Sequence, residues 1–331
     1  LDRIAEDVST VIDQNARQQE SLDEIKEMVA AKNSKLLGRA LARQDKERAL
    51  EEFEIELDSI EEQPFAKGAM SMVHRGKYQG DTVVLKKTSL VGMFAVERAK
   101  VMKAFATELS IMTQLHSPRI VSVIGAVTVD SSWLGLVLEY CEGGTLREAL
   151  EADDYATAVD EAQRRRWLLD VALGMSYLYS QGVEHRDLKT LNVLLDASRR
   201  RCKVSDFGLS QSESLNTAAT QSTMGRAKGT PAYMAPELLD SNTFTEETDV
   251  YAYALVIWEV LTGDIPWRGL NPVQVAMQIL TKQARPAVPE GAPADLIALM
   301  QRCWAHEPGA RPKFAAIMAE LLGSGPETPA K

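Results

Sequence analysis

The chain has 331 residues, 45% hydrophobic and 25% charged, the balance of an ordinary water-soluble protein with length for a two-part catalytic domain and something beyond it. A net charge of −10, with no basic stripe to offset phosphate repulsion, excludes nucleic acid as a general partner. Cys141, Cys202 and Cys303 are too few and too far apart for a disulfide framework or a zinc site, and no apolar run nears the roughly 18 residues of a membrane span.

No signal peptide opens the chain, so the expected location is the cytoplasm and membrane contact is not expected. The opening at Leu1, in place of Met, reads as a fragment of a longer protein. Leu1, Ile4, Val8, Val11, Asn15, Gln18, Leu22, Ile25 and Val29 step by three and four, the heptad spacing that lays one stripe along a helix, and residues 1–31 lack Gly and Pro. That stripe needs a partner, either another helix of the same chain or a second copy. A second helix is expected from Ser34, a residue able to cap it, to Glu52. From Phe53 the pattern changes to alternation, with Ile55 and Leu57 apolar between glutamates, which predicts a short strand opening a new domain.

Ala66-Lys67-Gly68-Ala69-Met70-Ser71-Met72-Val73 reads as strand, turn and strand, and Val83-Val84-Leu85-Lys86 as a buried strand ending in a cation. The apolar Leu90, Val91, Met93 and Phe94 predict an extra turn before the next helix, docked against the N-terminal helices and so able to regulate the position of Glu108 on that helix. Farther on come His185-Arg186-Asp187-Leu188-Lys189-Thr190-Leu191-Asn192, then Asp206-Phe207-Gly208, then Ala235-Pro236-Glu237. Arg164-Arg165-Arg166 and Arg199-Arg200-Arg201 read as solvated helix or loop faces.

The last three motifs, in that order and with a lysine strand upstream, resemble the protein kinase superfamily. Lys189, Gly229 to Glu237, and the run from Cys303-Trp304 to Arg311-Pro312 resemble the serine/threonine type of its tyrosine-kinase-like group. The helices ahead of the domain resemble the brace of mixed-lineage kinase domain-like proteins. The resemblance implies an α+β, bilobal fold with a five-stranded small lobe (53–138), a hinge (139–143) and a helical large lobe (144–322), after a helical or coiled-coil segment (1–52) and before a flexible tail (323–331).

By the same resemblance Asp187 is the base that orients a substrate hydroxyl, with Lys189 beside it, while Asn192 and Asp206 hold Mg²⁺ ions. Lys86, paired with Glu108, takes the α- and β-phosphates of ATP. Ala66, Gly68, Ser71, Val73, Val84, Leu138, Glu139, Cys141 and Leu194 enclose the nucleotide, with Leu138 as gatekeeper and the backbone of Glu139 and Cys141 on adenine. Arg311 should pair with Glu237, and Asp249 should brace the catalytic-loop backbone. Ser212, Ser214, Thr217, Thr220, Ser222 and Thr223 are candidate phosphosites, with Arg186 the cation a phosphate there would engage.

Only Gly68 remains of the three glycines usual in the phosphate loop, and Ala66 and Ser71 add a Cβ where close backbone approach matters, so weaker ATP affinity is expected. The implied activity is Mg-ATP-dependent phosphorylation of a protein serine or threonine. Two rivals stand beside it: a nucleotide-binding pseudokinase, and a scaffold assembled through residues 1–31.

Overall fold

Alternation along one strand gives the small lobe its two faces. The computed structural model describes residues 50–67, 71–130, 132–152, 154–207, 231–241 and 243–323, all within the unit Lys46–Lys331. The expected N-terminal helices up to residue 49, Gly68, the phosphosites and most of the tail lie outside the described residues.

Strand β4 (Asp81–Ser89) sends Val83 and Leu85 to one side, where they are buried with Val127 and Val137, while Val84 and Lys86 turn to the other. It runs between β3 (Ser71–Tyr78) and β6 (Trp133–Glu139), with Val73 opposite Lys86 and Lys86 opposite Leu136. One edge is β5 (Val123–Val127), beside β6. The other is a broken strand whose halves, β1 (Ser59–Ile60) and β2 (Ala66–Lys67), both pair with β3. Counting the halves as one row, the sheet is antiparallel and five strands wide, as the resemblance implies.

The expected opening strand at Phe53–Leu57 is corrected by the structure. This segment forms a single bridge, parallel to β5, with Ile55 N–H donating to Ala126 O at 2.9 Å and Ala126 N–H to Phe53 O at 2.8 Å. Glu54 holds it there by accepting from Thr128 N–H and Oγ1 at 2.8 and 2.5 Å. Ile55 and Leu57 then pack on the Val83 and Leu85 face, so their alternation marks burial against the sheet and not membership of its ladder. Gly125 permits this approach: a Cβ there would stand 2.8 Å from both Phe53 O and Ile55 Cγ2.

Helix α1 (Ala95–Met112) starts where Glu97 reaches back to accept from Phe94 N–H at 3.1 Å. The expected extra turn splits in character, for Leu90 is buried and Met93 half-buried in the main core, while Val91 and Phe94 are 75% and 79% exposed.

The large lobe is built on α6 (Glu246–Thr262), whose residues Thr248–Val260 are all buried, the pattern of a helix apolar on every face. Ahead of it in the chain stand α2 (Leu146–Leu150), α3 (Tyr155–Ala158), α4 (Glu161–Ser180), the ladder of β7 (Val193–Leu195) with β8 (Cys202–Val204), and α5 (Pro236–Ser241). Beyond it come α7 (Pro272–Lys282), α8 (Ala294–Cys303) and α9 (Phe314–Gly323). Phe314 seats α9 by stacking on Tyr179 of α4 at 5.9 Å and meeting Tyr253 of α6 edge-on at 5.6 Å. Among the described residues no helix is long and apolar enough to cross a membrane.

Gly125→Ala is expected to destabilise the protein by about 1–3 kcal/mol through forced displacement of the Phe53–Ile55 segment. Gly309→Ala, with open space around its Cβ, should leave the thermal midpoint unmoved, and differential scanning calorimetry on both variants checks the contrast.

Candidate active site

A carboxylate inside an apolar helix demands donors, and Asp249 on α6 finds them in one loop. It accepts from the backbone N–H of His185 and of Arg186, both at 2.9 Å, and from Tyr179 Oη at 2.6 Å. Burial pushes its carboxyl upward, and these donors oppose that shift. Arg186 is held at φ +68°, a left-handed conformation uncommon outside glycine. The loop then folds back on itself: Asp187 N–H donates to His185 Nδ1 at 3.2 Å, so the ring proton sits on Nε2 and donates to Ser205 O at 2.9 Å.

Asp187 is thereby presented with an open carboxylate. Its Oδ2 accepts from Lys189 Nζ at 2.6 Å and from Asn192 Nδ2 at 3.1 Å, and Asn192 Nδ2 also donates to Asp187 O at 2.8 Å. Both partners of that amide are acceptors, so the nitrogen must face them and Oδ1 points elsewhere. Asn192 O accepts from Ser205 N–H and Oγ at 2.9 and 3.0 Å, which ties the loop to the residue before Asp206.

Asp206 has φ +57° and a side chain 46% exposed, and its Oδ1 accepts from Lys86 Nζ at 2.7 Å. The enclosing walls disfavour its charge, but Lys86, with help from Lys189, outweighs them and holds the carboxyl below its ordinary range. The ion pair at Lys86 therefore joins the two lobes. Glu108 lies buried on α1, the helix packed against β5 and β6.

Val84 and Lys86 share one face of β4, Val73 stands opposite Lys86, and Leu138 stands opposite Val84. Ala66 pairs with Val73, and Ser71 begins β3. Glu139 N–H is spent on Ser122 O at 3.1 Å, so the group it can offer a ligand is its carbonyl. Gly143 N–H donates to Leu195 O at 3.1 Å and Leu195 N–H to Gly144 O at 2.8 Å, stapling the hinge to β7, which carries the half-buried Leu194. A Cβ on Gly143 would fall 2.2 Å from Asp196 O. Burial pushes the Cys141 thiol up to about 11, so it is a packed thiol, not a nucleophile.

Sequence reading missed three contacts around this cleft. Glu259, fully buried on α6, accepts from Arg147 Nη1 and Thr190 Oγ1, both at 2.8 Å, and from Tyr233 Oη at 2.5 Å. A lone acid in Val256-Ile257-Trp258-Glu259-Val260 was the available signal. Lys203 Nζ grips both Glu139 oxygens at 2.7 and 2.5 Å, and Arg75 lies 5.2 Å from the rings of both Phe65 and Tyr140. Neither had a local pattern, since each joins elements far apart in the chain. Arg311 holds Glu237 with two bonds, at 2.6 and 2.9 Å, as the resemblance implies.

Residues 60–321 match the family described as protein tyrosine and serine/threonine kinase. Serine/threonine/tyrosine-protein kinase HT1 of Arabidopsis thaliana is 36% identical over 261 residues, 78% of this chain and 64% of HT1. Serine/threonine-protein kinase CTR1 of the same plant is 36% identical over 253 residues, 76% of this chain and 30% of CTR1. A probable serine/threonine-protein kinase of Dictyostelium discoideum is 36% identical over 252 residues, 76% of this chain and 26% of that protein. The chain thus spans from about a quarter to under two thirds of the length of these relatives.

Arg147→Leu strips the buried Glu259 of its cation and is expected to cost about 3–5 kcal/mol in urea unfolding. Adding Glu259→Gln, which removes the charge and keeps an acceptor for one of Thr190 and Tyr233, should recover part of that loss.

Proposed function

Since the chain belongs to the protein tyrosine and serine/threonine kinase family, we propose that it transfers the γ-phosphate of ATP to a serine or threonine hydroxyl of a protein substrate. The observation that carries this reading is the hydrogen-bonded chain from Asp187 through Asn192 and Ser205, with Asp206 next in sequence and paired to Lys86. It sets a proton acceptor and a phosphate-directed cation on one framework.

The donors fit Mg²⁺, a hard cation that prefers oxygen and usually keeps waters and substrate phosphates among its ligands. Asp206 offers an ionised carboxylate open on one side, and Asn192 an amide oxygen turned away from Asp187. When bound, Mg²⁺ would neutralise charge on the phosphate oxygens.

In the transfer the substrate hydroxyl oxygen bonds to the γ-phosphorus, the bond from that phosphorus to the bridging oxygen breaks, and ADP leaves. Asp187 orients the hydroxyl and accepts its proton. Lys189, already 2.6 Å from Asp187, balances negative charge beside the incoming phosphoryl group. When nucleotide binds, Lys86 would exchange part of its contact with Asp206 for the α- and β-phosphates. Val73, Val84, Leu138 and Leu194 form the apolar walls for adenine, with the Glu139 carbonyl and Cys141 N–H as its polar partners.

Control by phosphorylation of the activation segment and by the N-terminal helices belongs to the same reading. Arg186, 2.9 Å from Glu184 and 5.0 Å from the Phe244 ring, would exchange the glutamate for a phosphate. Three free cysteines suit a reducing cytoplasm.

The test is Mg²⁺-dependent incorporation from labelled ATP into the protein and into a generic basic protein. Incorporation on Ser or Thr that falls at least ~10³-fold in Asp206→Ala is expected. Nucleotide binding without transfer would instead make the chain a pseudokinase.

A further inference from the structure

The two arginine triplets divide their residues between structure and an open cleft. Arg164 lies over the Tyr155 ring at 5.0 Å, and Arg165 is held by Glu161 at 2.7 Å and Asp295 at 2.6 Å. Arg201 makes a two-bond pair with Asp170, both contacts at 2.9 Å. Arg166, Arg199 and Arg200 remain, and all three line one cleft of about 450 Å³ between α2, α3, the start of α4 and the turn from β7 to β8. None of the three makes an ion-pair contact among the described residues, although Arg166 also acts through space on the buried Asp170 carboxylate.

The turn that carries two of them is fixed through its backbone. Trp167 Nε1 donates to Arg199 O and Gln163 Nε2 to Arg200 O, both at 2.9 Å, while Arg200 N–H donates to Asp196 Oδ1 at 3.0 Å. Arg199 is kept at φ +56°, where glycine or asparagine would be less strained, and both side chains are exposed. The floor is small and apolar: Ala149, Ala152, Ala158 and Val159. Two aspartates also line the cleft, but Asp160 is spent accepting from Gln163 N–H at 2.7 Å at the start of α4. Three arginines and two aspartates, Asp154 and Asp160, thus line the cleft and leave it net positive in a chain whose net charge is −10.

We propose that this cleft is a docking site for a short acidic segment of a protein partner. Carboxylates of that segment would pair with Arg166, Arg199 and Arg200, for which the planar guanidinium fork is the matching donor. A small aliphatic side chain between them would lie on the alanine floor, and the volume suits two or three side chains. No residue of the cleft belongs to the site of phosphoryl transfer, so binding is read independently of activity.

The probe is a fluorescent ten-residue peptide of alternating Glu and Leu, measured by anisotropy against the full chain, with alternating Lys and Leu as its counterpart. The acidic peptide should bind the tighter, and binding should weaken as salt rises. Arg199→Ala/Arg200→Ala should weaken it at least ~10-fold. Ala158→Trp, which fills the exposed floor and leaves every charge in place, should weaken it comparably. Equal binding of the two peptides, or undiminished binding by Ala158→Trp, would overturn the proposal.

Discussion

Two carboxylates buried on one helix organise the large lobe. Asp249 and Glu259 sit ten residues apart on α6, about 15 Å along its axis, in a stretch with no exposed position. A buried carboxylate without donors costs several kcal/mol, so each recruits donors from elsewhere. Asp249 takes two backbone N–H groups of the catalytic loop, and Glu259 takes Thr190 from that loop and Tyr233 from the turn leading to α5. The helix at the centre of the hydrophobic core therefore also shapes the loop that carries Asp187. A change at either acid is felt at the site although neither touches a ligand.

The small lobe reaches the same cleft through strand parity. Because side chains alternate, burying Val83 and Leu85 under Ile55 and Leu57 obliges Val84 and Lys86 to face the other way. Lys86 then meets Asp206, and that ion pair ties the sheet to the segment that follows β8. Lys203 on Glu139 adds a second tie, from β8 to the hinge. The cleft is thus held closed at its back by salt bridges and left open where Asp206 and Asp187 expose their oxygens.

Sequence made legible what local pattern and spacing encode. The strand at Val83–Lys86, the helix behind Glu108, the five-stranded width of the sheet and the loop at His185–Asn192 emerge from alternation, periodicity and the kinase resemblance. The segment at Phe53–Leu57 did not, because alternation reports a half-buried extended chain and cannot say whether the chain joins a ladder or crosses a face. The arginine triplets misled for a related reason: adjacent residues on a helix or turn point in different directions, so one run supplied both paired and open cations. Contacts such as Arg75 with Tyr140 or Lys203 with Glu139 depend on elements brought together only by the fold.

If the buried Asp249 carboxylate locks the catalytic loop, native-state hydrogen exchange across residues 183–192 of the full chain reads that lock amide by amide. The amides of His185 and Arg186 should exchange only when the core opens, as slowly as those in the middle of α6. Exchange of those two amides at the rate of an exposed loop, with α6 still protected, would contradict the lock.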